Sequence, residues 1–293
     1  MLTFDDKQLY YQVARDLYTF SGAIVDLGSF CGATAMALAV GMLNNGRLSA
    51  QTRLIATVYS YDLFKADFGA CDHLNWFHRG DRTYKEGDDF FDVFCRLTSK
   101  YAAFIRPYVG DVGQAPYDGP LIEVLSVDVC KSRLITDAVF RKFMPLLRPG
   151  AYILQQDFIH PWHPYLHTAI GYFADHFEVI HENDDGGTVL YRLVRPIEAS
   201  QLDDFSDVCL NRKDQWLPLM NRAFAQLRTQ RALNSLQAAR TLLIGEVEGA
   251  LAAERYAIAL PKDLSQRDRQ WVTEVLAYAR IQWPGRPALG RSL

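Results

Sequence analysis

Six residues fall where a side chain can do chemistry: Asp26, Asp62, Asp111, Asp128, Asp157 and His160. The first lies in Val25-Asp-Leu-Gly-Ser-Phe-Cys-Gly-Ala-Thr34, a strand that passes through a glycine turn into a helix. Glycines at such a junction let backbone approach a ligand closely and place it by the helix N-terminus. Gly28 and Gly32 are spaced GxxxG with Phe30 between them, not the GxGxxG of a dinucleotide site. A bulky residue there is poorly suited to a pyrophosphate pressed on the loop. An acid ending the strand repels phosphate but attracts an ammonium group. Asp26, Gly28, Ser29 and Gly32 therefore suit a ligand with an amino acid end, although a tight βα turn without a ligand gives the same pattern.

Two further acids extend that ligand. Asp62 stands before Leu63 in Ser-Tyr-Asp-Leu-Phe, where a carboxylate can accept from both hydroxyls of a ribose. Asp111, in Val-Gly-Asp-Val, follows the next strand, where a carboxylate can meet an adenine amino group. Each alone also reads as a solvated acid. Three at successive strand ends share the carboxyl edge where open α/β sheets bind ligands. The ligand they describe is S-adenosylmethionine.

A second constellation follows the fifth strand: Asp157-Phe-Ile-His160-Pro-Trp-His163-Pro-Tyr-Leu-His167. Its spacing fits a base with an orienting carboxylate or a transition-metal site, and equally fits histidines lining a turn and a helix start. His163 and His167 suit the turn better. His160, three residues past a strand end, suits a general base as well as a turn. Residues 64–90 form a long connection carrying His73, Trp76, Phe77, His78 and Arg79, which reads as a lid over an acceptor or as ordinary surface aromatics.

The elements that must position these residues alternate through the first 198 residues. Strands are predicted at 23–27, 54–62, 105–109, 121–128 and 151–155, and helices at 5–20, 33–44, 88–104, 133–147 and 164–176, with Arg148-Pro-Gly150 as a helix stop. Residues 177–182 and 188–194 flank Asn-Asp-Asp-Gly-Gly as a hairpin. Such an order predicts a mostly parallel sheet with an antiparallel edge. Residues 199–293 contain no convincing strand and read as about three helices. The stripe Leu236, Ala239, Leu243, Val247, Leu251 packs on the main domain or forms a homodimer interface, and Gly245 and Gly249 allow a tight helix–helix approach.

Composition bounds the function. Of 293 residues 49% are hydrophobic and 22% charged, which supports a buried core and excludes global disorder. Thirty-one basic against thirty-four acidic side chains leave a net charge of -3, against the basic surplus of a nucleic-acid binder. No apolar run reaches the roughly 18–20 residues of a membrane span. The MLTFDDK start has no basic segment leading into an apolar one, so no secretory signal is expected. Cys31, Cys71, Cys95, Cys130 and Cys209 are odd in number, spread out and free of CxxC, so a reducing cytoplasm is expected.

The chain resembles the class I S-adenosylmethionine-dependent methyltransferases, in particular the macrocin O-methyltransferase branch. The matching residues are Asp26-Leu-Gly-Ser-Phe-Cys-Gly32, Tyr61-Asp-Leu-Phe64, Gly110-Asp111, Val127-Asp-Val129 with Lys131-Ser132, and Arg148 to Asp157, within residues 15–196. The resemblance implies a Rossmann-like α/β fold over 1–198, with a seven-stranded, mostly parallel sheet, a terminal hairpin and a helical extension at 199–293. It implies methyl transfer to a hydroxyl of a sugar, glycan precursor or natural product, with Asp128 also near the cofactor. It also implies a divalent cation such as magnesium, held by Asp128 and Asp157. Gln156 stands where the branch often has a second aspartate, which removes a charge from that site. Proton removal is then assigned to Asp128, Asp157 and His160. Two other readings are a cofactor-binding scaffold with little catalysis and a nicotinamide-dependent oxidoreductase, the latter disfavoured by the glycine spacing and the hairpin.

Overall fold

Short runs of β-branched and aromatic residues set the strands β1 (Ala23–Leu27), β2 (Val58–Asp62), β3 (Ile105–Val109), β4 (Ile122–Val127), β5 (Leu147–Gln155), β6 (Phe177–Glu182) and β7 (Val189–Leu193). The structure, a computed structural model, describes residues 2–77, 82–183 and 185–284; His78 and Arg79 of the expected lid lie outside them. The strand order is β3-β2-β1-β4-β5-β7-β6. β1 runs parallel to β2 and β4, and β2 parallel to β3, whereas β7 runs antiparallel to both β5 and β6. The expected Rossmann-like sheet with a terminal antiparallel hairpin is therefore observed. The order reverses at β1, the kind of switch point beyond whose strand carboxyl ends open α/β sheets bind ligands.

Contacts group the chain into two compact units, Met1–Val127 and Asp128–Leu293. In the first, α1 (Phe4–Gln12) starts at a reciprocal cap between Thr3 and Asp6 and runs into a wider turn over Val13–Leu17. α2 (Ala33–Leu43) follows the glycine turn, and α3 (Ala50–Arg53), α4 (Phe68–Phe77) and α5 (Phe91–Thr98) complete the helices described there. All five residues of β1 are buried. The strand predicted from Leu54 begins only at Val58. Ser49 and Thr52 cap α3 reciprocally, and β1 offers ladder partners from Ile24↔Val58 onward, which leaves Leu54 86% exposed.

The second unit contains β5, β6, β7, α6 (Arg133–Phe143), α7 (Pro164–Tyr172), α8 (Ala199–Leu210), α9 (Lys213–Phe224), α10 (Gln230–Glu248), α11 (Ala250–Ile258) and α12 (Gln266–Gln282). Arg148-Pro-Gly150 is part of β5 rather than a helix stop. α6 has already ended at Phe143, with Pro145 in the tight turn that follows it. Among the described residues the tail holds five helices where about three were expected, because Asn211, Thr229, Gly249 and Ser265 each supply a break or a cap. Leu236, Ala239 and Leu243 are fully buried. α10 meets α12 at Gly245, where an added Cβ would lie 3.0 Å from Ala279 Cβ. Gly249 instead ends α10 in a conformation with φ 97°. Among the described residues no helix is long and apolar enough to cross a membrane.

Candidate functional site

The first unit builds its site on the carboxyl ends of three parallel strands. Asp26, one residue from the end of β1, is fully buried. Its two oxygens accept from Thr34 Oγ1 and Ser126 Oγ, each at 2.8 Å. Burial pushes its pKa up, and the hydroxyls of Thr34, Ser126 and Ser29 oppose that rise. Asp26 thus ties the glycine turn to α2 and β4. The turn then folds back on β2, with Gly28 N–H donating to Tyr61 O at 2.8 Å and Gly32 N–H donating to Ser29 O at 2.7 Å. Gly32 is required: its φ is 85°, and an added Cβ would lie 2.3 Å from the Thr98 methyl.

Asp62 is the most constrained residue of this edge. One carboxylate oxygen accepts from Phe30 N–H at 2.8 Å and the other from Phe64 N–H at 2.7 Å. Both phenylalanines are in the left-handed region, with φ of 44° and 51°, which is rare for an aromatic residue. Burial raises the Asp62 pKa, while the Phe64 and Phe30 amides pull it down. Each oxygen keeps a further lone pair for a ligand hydroxyl. Leu63, next in sequence, is 54% exposed, an apolar surface at the strand end. Asp62 O accepts from Gly110 N–H at 2.9 Å, so the Asp111 turn starts from the same place. Asp111 itself is exposed and accepts from Gly113 N–H at 2.6 Å.

The long connection after β2 closes on itself: Ala66 N–H donates to Asp88 O at 2.8 Å and Phe90 N–H donates to Phe64 O at 3.1 Å. It reaches the glycine turn through Phe30, whose ring lies 5.3 Å from Phe90 and 6.4 Å from His73. Trp76 in α4 is 59% exposed.

In the second unit Asp128 and Asp157 are brought together by a residue the spacing argument did not assign. Lys131 Nζ donates to Asp128 Oδ1 at 2.7 Å and also to Asp157 Oδ2. Burial works against the ammonium, but Asp128 and Asp157 outweigh it and raise its pKa. Burial likewise pushes Asp157 upward, yet the Lys131 charge and hydrogen bond, with His163 and His160, hold it below the usual carboxylate range. The available signal was the i, i+3 spacing Asp128-x-x-Lys131 directly after an apolar strand.

The imidazole next to Asp157 is His163, with Nε2 3.7 Å from Asp157 Oδ2 and Nδ1 2.7 Å from the Tyr165 hydroxyl. Burial lowers its pKa to about 3, so it is neutral at physiological pH. His160 stacks on His163 with ring centroids 5.6 Å apart and meets the Trp271 ring of α12 edge-on at 5.6 Å. Its Nδ1 is buried without a hydrogen-bond partner, and burial lowers its pKa. His167 is fully buried, with Nε2 2.7 Å from Phe158 O, and belongs to the core.

These donors do not fit the divalent cation that the resemblance implies. The Asp128–Asp157 pair already holds an ammonium. Gln156 is buried, and its Oε1 accepts from Thr188 Oγ1 rather than facing the carboxylates. Among the described residues no group of three or more His, Cys, Asp or Glu is placed to hold a metal ion.

No protein-family model matches the chain, and no curated protein matches its sequence. Among solved structures the chain is similar to the O-methyltransferase NovP, 18% identical, covering 65% of this chain and 78% of that chain with a TM-score of 0.45. It is also similar to CalS11, a TDP-rhamnose 3'-O-methyltransferase of calicheamicin biosynthesis, 15% identical over 64% of this chain and 76% of that chain, TM-score 0.44. A third is an O-methyltransferase from Bacillus cereus in complex with SAH, 13% identical over 67% and 82%, TM-score 0.41. Identities this low carry no residue roles across.

Proposed function

We propose that the chain is an S-adenosylmethionine-dependent O-methyltransferase acting on a hydroxyl of a sugar, glycan precursor or natural product. The observation that carries this reading is the Asp62 carboxylate, clamped by two backbone amides at the carboxyl end of β2 beside a glycine turn. A fixed acid there meets a vicinal diol, as in nucleoside cofactors. Gly28, Ser29 and Gly32 give the amino acid end of the cofactor a close backbone surface, with Asp26 holding their turn. Leu63 offers an apolar face to the adenine, and Asp111 an acceptor for its amino group. Residues 1–198 hold the cofactor and 199–293 form the helical extension. The five free thiols fit a reducing, cytoplasmic setting.

A sulfonium methyl is already activated, so the protein aligns the acceptor and assists loss of its proton. The acceptor O–H bond breaks and an O–CH3 bond forms, while the C–S bond pair returns to sulfur. Asp128 and Asp157 border the acceptor, and His160, neutral at physiological pH, receives the proton. Calorimetry with S-adenosylhomocysteine and with NAD tests the reading: the first binds and the second does not. Binding of NAD alone overturns it in favour of an oxidoreductase.

A further inference from the structure

The Asp128–Lys131–Asp157 triad sets one ammonium between two part-exposed carboxylates. Lys131 is fixed from both sides: its own N–H donates to Val129 O at 2.7 Å, and the next residue, Ser132, caps α6 by accepting from Ile135 N–H at 3.2 Å. Asp157 reaches the ammonium from a backbone with φ 56°, a conformation uncommon for a residue with a side chain. Two of the three ammonium N–H bonds go to carboxylates. The side chain as a whole remains 44% exposed, and the third N–H is the one left for a ligand.

We propose that Lys131 is the built-in cation of this site, standing between Asp128 and Asp157 in place of a divalent ion and donating its third N–H to the acceptor oxygen. The inference rests on the methyl-transfer reading. Three features support it together. The ammonium touches both carboxylates that a metal would need. Gln156 turns its amide oxygen inward to Thr188, so it adds no ligand. A hard divalent cation requires about six oxygen ligands and strong anionic charge, whereas here two carboxylates are already part-neutralised. A fixed positive charge beside the acceptor oxygen favours the developing alkoxide character, the task a metal otherwise performs. The proton leaves to the neutral imidazole of His160, and Lys131 stays protonated throughout. Lys131 is therefore a binding and charge-stabilising residue, not the base.

The experiment titrates Mn2+ into the full-length wild-type protein, Lys131→Met and Lys131→Met/Asp157→Asn, and reads free Mn2+ by electron paramagnetic resonance. The expected result is no detectable site in the wild type, a site in Lys131→Met at least about tenfold tighter than the wild-type detection limit because two carboxylates are released, and its loss in the double variant. Wild-type Mn2+ binding that Asp157→Asn abolishes overturns the proposal. So does a folded Lys131→Met protein, checked by circular dichroism, that gains no Mn2+ affinity. If Lys131→Met does not fold, the wild type and Asp157→Asn alone decide the matter. Calorimetry with S-adenosylhomocysteine on the same wild-type sample is the separate control: failure to bind it overturns the methyltransferase reading, while the metal titration judges Lys131 independently.

Discussion

Replacing Asp62 with alanine probes the first unit at its most constrained point. The carboxylate accepts from Phe30 N–H at 2.8 Å and from Phe64 N–H at 2.7 Å. Those donors belong to residues with φ of 44° and 51°, a region that costs about 1–3 kcal/mol per residue when nothing holds it. Without the carboxylate both amides lose a charged acceptor, at about 1–1.5 kcal/mol each once water is allowed for. The ligand-free protein should therefore lose about 2–3 kcal/mol and melt roughly 3–5 °C lower. Cofactor binding should suffer separately. Loss of two charge-assisted hydrogen bonds to the ribose diol costs about 2–4 kcal/mol, or roughly 30- to 1000-fold in Kd.

Thermal melts without ligand and calorimetry with S-adenosylhomocysteine measure the two effects apart. Asp62→Asn is the informative companion. Its amide oxygen can still serve one backbone N–H, but its amino group faces the other donor, so it should recover part of the stability and little of the affinity. Unchanged melting in Asp62→Ala refutes the clamp. Reduced melting with unchanged affinity leaves the clamp intact but removes Asp62 from the ribose site.

Two further outcomes are expected. His160→Ala should lower turnover by about 100-fold while S-adenosylhomocysteine binding is kept, as for loss of a general base; equal turnover in the variant, once an acceptor is known, assigns the proton elsewhere. Burial lowers the His167 pKa from 6.5 to about 4, so below pH 6.5 the unfolded chain binds a proton that the native one refuses. Stability must then fall as pH drops from 6.5 toward 4, with His167 contributing about 3 kcal/mol of the loss; denaturant melts at pH 7 and 4.5 that show the same pH dependence in wild type and His167→Gln contradict this.

The strand ends were legible because an acid or a glycine closing an apolar run marks a boundary whatever lies across from it. β1 and β3 fall at the predicted residues, and the hairpin is where Asn-Asp-Asp-Gly-Gly places it. Segments that read wrongly are those where a local signal competes with partner length. Leu54 and Ile55 have strand chemistry, but β1 is five residues long and has no ladder left to give them. Pro149 and Gly150 carry stop chemistry, but Pro145 has already stopped the helix.

What an acid at a strand end does depends on its donors, and these come from afar. Ser126 is 100 residues from Asp26, and Lys131 is 26 residues from Asp157. A sequence shows five such aspartates as equals. The structure separates them: Asp26 is fully buried and held by two hydroxyls, Asp111 accepts from its own turn, Asp62 is gripped by two amides, and Asp128 with Asp157 shares an ammonium. Backbone amides and a fixed ammonium hold a carboxylate in place while leaving it lone pairs or a spare donor for a ligand. Paired hydroxyls in the core hold it without leaving an approach. On that physical ground Asp62 and the Lys131 triad, rather than Asp26, are the places where a substitution should change binding as well as stability.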